Sequence, residues 1–187
     1  MRSGCSGLAC DEIGWPFDPL FQLLLLTAQR RDEVAEAPWG EFDFVGALWT
    51  LPRERAKNDK AHLIHLAPKA TEILRGLSTA GAAGSLFTTT GKTPVSCFTR
   101  SRQKLATAMN DLGGVEVKPF TLHDLCRTSA TGMAGLGIAP HVVDRALIHS
   151  TGKINGVARI YNRHEYLIER KMALPSMGQV RGESCDA

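Results

Sequence analysis

His123, Arg127, His149 and Tyr161 fall within Phe120–Tyr166, about a quarter of the 187 residues. Their types complement one another. A phenol is a poor nucleophile until it loses its proton, and its ordinary pKa is about 10. Imidazoles and guanidinium groups around it lower that barrier and hold an anion in place. The set therefore suits attack by a tyrosine on a negatively charged substrate.

The elements that must carry these residues are short helices. Thr121 can cap a helix whose first turn holds Asp124, and Leu125, Ser129, Met133 and Leu136 continue one apolar face until Gly137 stops it. Pro140 opens a second helix, with Val142, Val143, Ala146 and Leu147 inward and His149 at its end. A glycine-containing turn follows, and Ile160 and Tyr161 start a third helical segment. Tight turns between three such helices bring His123, His149 and Tyr161 together.

Upstream, Pro16, Asp18 and Pro19 open a helix with Phe21, Leu24, Leu25 and Ala28 on its buried face. Arg30 and Arg31 follow it, and Asp32, Glu33 and Val34 begin another short helix that ends near Pro38. A lone arginine at a helix end is ordinarily a solvated one. With Glu33 buried three residues on, Arg30 can instead form an oriented pair that aims its guanidinium at a ligand.

Phe42–Leu51, turning at Gly46, alternates as a hairpin, and His62–Leu66 reads as a third strand. In the cationic loop between them, Asn58 and Asp59 favour a tight reversal that pushes Lys57 outward. His62 and His65 resemble a metal pair, but an odd offset in a strand points them to opposite faces, so no metal site is expected. Pro68–Leu77 reads as an amphipathic helix and Gly81–Gly84 as a linker. A basic helix then carries Arg100, Arg102 and Lys104 near its start. Alone this is a solvated face; joined with Lys57, Lys60 and Arg127 it lines a phosphate track.

Composition sets the outer bounds. With 43% hydrophobic and 22% charged residues the chain can bury one good core, and a net charge of +3 permits nucleic acid without demanding it. Cys5, Cys10, Cys97, Cys126 and Cys185 are scattered and odd in number, which points to reduced thiols in a cytosol rather than a zinc site or disulfide framework. The start lacks the apolar core of a secretory signal, and the run around Leu23–Leu26 is too short to span a bilayer. Three parts are expected: a lead over 1–14, one domain over 15–174, and a polar frayed tail over 175–187.

The run LLLLTAQRRDEV, a hairpin lysine in ERAKNDKAHLIHL, then LHDLCRTSATGMAGLGI, and finally ALIHS with GVARIYNRHEYL resemble, in order, the motifs of the tyrosine recombinases of the phage and genomic-island integrase branch. The resemblance runs from about Trp15 to Leu174. It implies a mainly helical α+β catalytic domain with a small antiparallel three-stranded sheet near its start. It also implies site roles: Arg30 as the first catalytic arginine, Lys57 as the hairpin lysine, His123 opening an H-x-x-R motif, His149 at the later His or Trp position, and Tyr161 as nucleophile. Glu33 and Arg127 fall beside them as supporting residues, and Arg100, Arg102 and Lys104 as DNA contacts. The implied partner is double-stranded DNA, with self-association on it, in the cytoplasm. No cofactor, metal or membrane is implied.

The sequence departs from the family pattern at three positions. Cys126 occupies the second-arginine position of H-x-x-R, and Ala28 and Ile148 stand where glycine is usual. Family members carry arm-binding and core-binding domains ahead of this one, and these are expected to be missing here. The expectation is a DNA-cleaving and rejoining domain acting through a 3′-phosphotyrosyl link, impaired by Cys126 and by the missing DNA-binding domains. The alternative is a non-catalytic DNA-binding remnant of an integrase.

Overall fold

The computed structural model describes residues 10, 13–57, 59–77, 84–113, 116–147 and 166–179. His149, Tyr161, Ile148 and the turn between the last two helices lie outside the described residues. The rest is α+β and mainly helical, with seven helices and one small sheet.

The helix α1 (Phe17–Thr27) is the centre of the fold. Every side chain from Pro19 to Thr27 is buried, so its four consecutive leucines are covered all round rather than on one face. It packs against α3 (Pro68–Gly76), α5 (His123–Gly135) and α7 (Leu167–Gln179). Leu20, Phe21, Leu24, Leu74 and Leu125 meet there fully buried. The helices α4 (Phe98–Gly113) and α6 (Pro140–Ala146) complete the shell. α4 buries Ser101, Leu105, Ala108 and Met109, a spacing of three to four residues that marks its inner face.

α1 ends at Ala28, which adopts left-handed backbone at φ 58 and donates its N–H to the Leu24 carbonyl. A glycine serves this C-cap at no steric cost, whereas alanine pays about 1 kcal/mol for its Cβ. That is the physical content of the departure at this position. Ala28→Gly should raise stability to urea by up to about 1 kcal/mol, partly offset by the freer unfolded chain. A midpoint that stays put or falls would mean the strain is absorbed elsewhere.

The sheet is an antiparallel meander of β1 (Phe42–Asp43), β2 (Leu48–Leu51) and β3 (His62–His65). Its register pairs Phe42 with Trp49 and Trp49 with Ile64. In the hairpin turn, Asp43 Oδ1 accepts the N–H groups of Val45 and Gly46 at 2.9 and 3.0 Å. A Cβ on Gly46 would stand 2.5 Å from Asp43 Oδ2, so a larger residue here would displace that carboxylate. His62 is buried while His65 is half-buried on the other face, as the odd offset requires.

Three expectations need correction. Leu136, placed on the apolar face of α5, is 44% exposed, because the helix ends at Gly135 and the chain turns away through Gly137. Cys10 and Ile13, assigned to a lead, are buried in the core. The start of the tail is also ordered: α7 runs to Gln179, so residues 176–179 are helix and not frayed chain. α7 is fastened to the sheet by the buried Arg170, whose Nη2 donates to the Leu63 carbonyl and lies 2.8 Å from His62 Nε2. Burial and that neighbouring cation push the His62 pKa down to about 3, so the ring is neutral at physiological pH.

Candidate active site

The junction of α1 with α2 (Arg31–Ala35) presents Arg30 as the residue before the helix, in extended backbone. Its neighbour Glu33 is nearly fully buried and acts as a hub. Glu33 Oε1 accepts from Arg30 Nη1 at 3.1 Å and from the Lys57 N–H at 3.3 Å, while Oε2 accepts the Arg30 N–H at 3.1 Å. The i, i+3 pair expected from sequence is therefore formed, and it also holds the loop that carries Lys57.

A second chain of contacts ties that loop to the sheet. Arg55 Nη2 donates to the Glu33 carbonyl at 2.6 Å, and Arg55 Nε to Glu41 Oε1 at 3.1 Å. Glu41 Oε2 accepts from Trp49 Nε1 at 2.8 Å, and Trp49 is buried in β2. Burial raises the Glu41 pKa, while Trp49 and Arg55 pull it back down. Arg53 and Asp59 close the turn across 2.7 Å, and Asp59 takes left-handed backbone at φ 58. Lys57 projects outward from this braced turn, exposed.

An open cleft of about 410 Å³ lies where these elements meet α4 and α5. Arg30, Lys57, Arg102 and His123 all line it, together with Arg31 and Thr121. Thr121 donates through both its N–H and its hydroxyl to Asp124 Oδ2, at 2.7 and 2.8 Å, which sets the start of α5 and presents His123. These bonds hold the Asp124 carboxyl below its usual pKa. Arg31 is engaged by Asp32 at 2.6 and 3.0 Å and sits 4.9 Å over the Phe98 ring.

Cys126 lies beneath this surface. It is buried, and its thiol donates to the Gln29 carbonyl at 2.9 Å, one residue before Arg30. Burial, reinforced by the nearby Glu33 carboxylate, pushes its pKa up to about 11, so it stays a neutral thiol. Gln29 donates through Nε2 to the carbonyls of Thr27 and Ala146 at 2.8 and 2.9 Å, and its buried Oε1 has no donor among the described residues. Arg127 turns the other way. Its side chain is 72% exposed and bound to Asp124 Oδ1 at 3.0 Å.

The sequence matches the phage integrase family over residues 11–167. The chain belongs to that family. It is 32% identical over 152 residues to prophage integrase IntA of Escherichia coli strain K12, a match that covers 81% of this chain and 35% of that protein. The chain thus spans about a third of the length of the curated relative it matches. No solved structure matches it significantly.

For a phage integrase chain, the cleft brings together Arg30, Lys57 and His123 of the expected site. His149 and Tyr161 lie outside the described residues. The basic helix divides. Arg102 faces the cleft, while Arg100 and Lys104 line a separate groove along α4 with Thr107 and Asp111. Sequence reasoning missed Arg55, Glu41 and the cleft-facing role of Arg102; of these, only the Arg102 offset within α4 left a readable signal. Among the described residues no cluster of metal-ligating side chains occurs, and no helix is long and apolar enough to cross a membrane.

Proposed function

We propose that the chain is the catalytic part of a tyrosine recombinase that cleaves and rejoins DNA through a 3′-phosphotyrosyl intermediate, working slowly because Cys126 replaces the second arginine. The observation that carries this is the single cleft lined by Arg30, Lys57 and His123, each from a different element. A phosphodiester bound there meets a guanidinium already aimed by Glu33, and charge that builds on the non-bridging oxygens is stabilised without reorganisation. The Tyr161 oxygen forms the new bond to phosphorus, giving up its proton to a neighbouring base, as the P–O5′ bond breaks. Lys57 supplies the proton that the 5′ oxygen takes as it leaves. The phosphotyrosyl bond retains the energy of the diester, so a free 5′ hydroxyl reverses the step.

A second reading is favoured by the buried, neutral Cys126 thiol: a DNA-binding remnant that no longer cleaves. Covalent capture separates the two. Incubated with a pool of nicked suicide duplexes of randomised sequence, the chain is expected to form an adduct that peptide mapping places on Tyr161. DNA on Tyr166 instead would shift the motif register. Salt-sensitive binding with no adduct would establish the remnant. Affinity should fall steeply with salt, with a log–log slope of about −0.9 for each phosphate contact. Binding indifferent to salt would remove the phosphate-track reading of Arg100, Arg102, Lys104 and Lys57.

A further inference from the structure

With cysteine at position 126, the cleft is one guanidinium short of the family pattern. We infer that Arg102, from α4, is the second phosphate-binding guanidinium of this site. This rests on the strand-transfer reading of the cleft and adds to it a residue that the pattern of motifs does not contain.

The arginines that share this region with Arg102 each have a carboxylate partner. Arg30 is held by Glu33, Arg31 by both oxygens of Asp32, and Arg127 by Asp124 on the outer side of α5. Cys126 is a neutral thiol turned onto the Gln29 carbonyl. Arg102 differs from the three arginines. Among the described residues it forms no ion pair, and its Nη1 donates to the Phe120 carbonyl. A carbonyl fixes one edge of the guanidinium and leaves its positive charge unneutralised, with further N–H donors to spare. Phe120 lies three residues before His123, so the anchor belongs to the same segment that presents His123 to the cleft.

Arg102 is half-buried, which weakens competition from water and strengthens a charge-assisted bond to phosphate. Its place on the helix is equally specific. Arg100 and Lys104 are four residues apart and share a face, whereas Arg102 stands about 200° round from Arg100 and so meets the cleft. It acts by donating N–H groups to the non-bridging oxygens, with no proton transferred.

The test uses the pool of nicked suicide duplexes with Arg102→Ala, Arg102→Lys and Arg75→Ala, each built with Cys126 and with Cys126→Arg. With Cys126, Arg102→Ala should lower the rate of adduct formation by ~10²-fold or more, as loss of one transition-state donor does. Arg102→Lys should recover part of it, and Arg75→Ala should leave it within about twofold, since it removes an exposed arginine of α3 that does not line the cleft. With arginine at position 126, Arg102→Ala should cost less than about tenfold, because the restored group shares the load. Equal losses in both backgrounds, or no loss in either, would overturn the inference. So would a native chain that forms no adduct while Cys126→Arg does. If Arg102→Ala fails to fold by circular dichroism, the difference between Arg102→Lys in the two backgrounds decides. Absence of adduct in every protein, Cys126→Arg included, would mark failure of the strand-transfer reading itself, whether or not DNA is still bound.

Discussion

Cys126→Arg should speed phosphotyrosyl adduct formation by ~10²- to 10³-fold over the native chain, the usual effect of one oxyanion donor. The surroundings favour the larger side chain more than burial alone suggests. The thiol now occupies the Gln29 carbonyl with a weak bond, and Gln29 Oε1 lacks a donor among the described residues. A guanidinium brings five N–H groups to that neighbourhood, and the Glu33 carboxylate is close enough to affect charge at this position. Against this stands the strain of inserting volume into a packed site, about 1–3 kcal/mol. The fold should tolerate that cost, so the gain in rate should dominate. Single-turnover cleavage and urea unfolding on the same preparation separate the two effects. A folded variant that cleaves no faster would show that Cys126 is not what limits the reaction. Arg127→Ala serves as the counterpart. Because Arg127 is exposed and tied to Asp124, its loss should leave the rate unchanged, and abolished cleavage would mean it has taken over the missing role.

Glu33→Ala should be the most damaging single change in the positioning network. It strips the acceptor from Arg30 Nη1, from the Arg30 N–H and from the Lys57 N–H together. Breaking a buried ion pair costs about 3–5 kcal/mol when the surviving charge stays buried. Arg30 is 23% exposed and can rehydrate, so a loss of about 2–3 kcal/mol in urea unfolding is expected. The rate should fall by ~10²-fold besides, since a displacement near 1 Å has that effect on a positioned group. Glu33→Gln keeps an acceptor but not the charge, and should retain most of the stability while losing much of the rate. Measured in the Cys126→Arg background, a Glu33→Ala protein with both quantities unchanged would show that Arg30 needs no such support.

Much of this arrangement was readable from local spacing. Phe21, Leu24 and Leu25 mark α1, alternation marks the strands, and Glu33 three residues after Arg30 announces the pair that forms. What local spacing carries poorly is contact across distance. Arg55 reaches Glu41 over 14 residues and the Glu33 carbonyl over 22, with no periodicity to betray either. Arg102 was a different miss. Its helical offset from Arg100 and Lys104 was available, but a cluster of like charges invites reading as one surface. Ala28 was visible as a departure, but its cost shows only in the left-handed backbone it adopts. The tail was read as frayed from its polar residues and glycines, while α7 continues to Gln179.

Gln29 has a consequence for manufacture, in the sense of how positional error accumulates along a chain. Its side chain bonds to Ala146, 117 residues away, and its carbonyl takes the thiol of Cys126, 97 residues away. Arg30 is the next residue after Gln29, and His123 precedes Cys126 by three. Measured along the backbone, Arg30 and His123 are remote; measured through the Cys126 thiol bond, they are separated by four residue steps. Catalytic groups tolerate errors of only about 0.5 Å, far less than a long run of loops and helices can guarantee. Gln29 works as a common datum from which several parts of the cleft are set out, so disturbance in the sheet or in α4 need not propagate into the spacing between them.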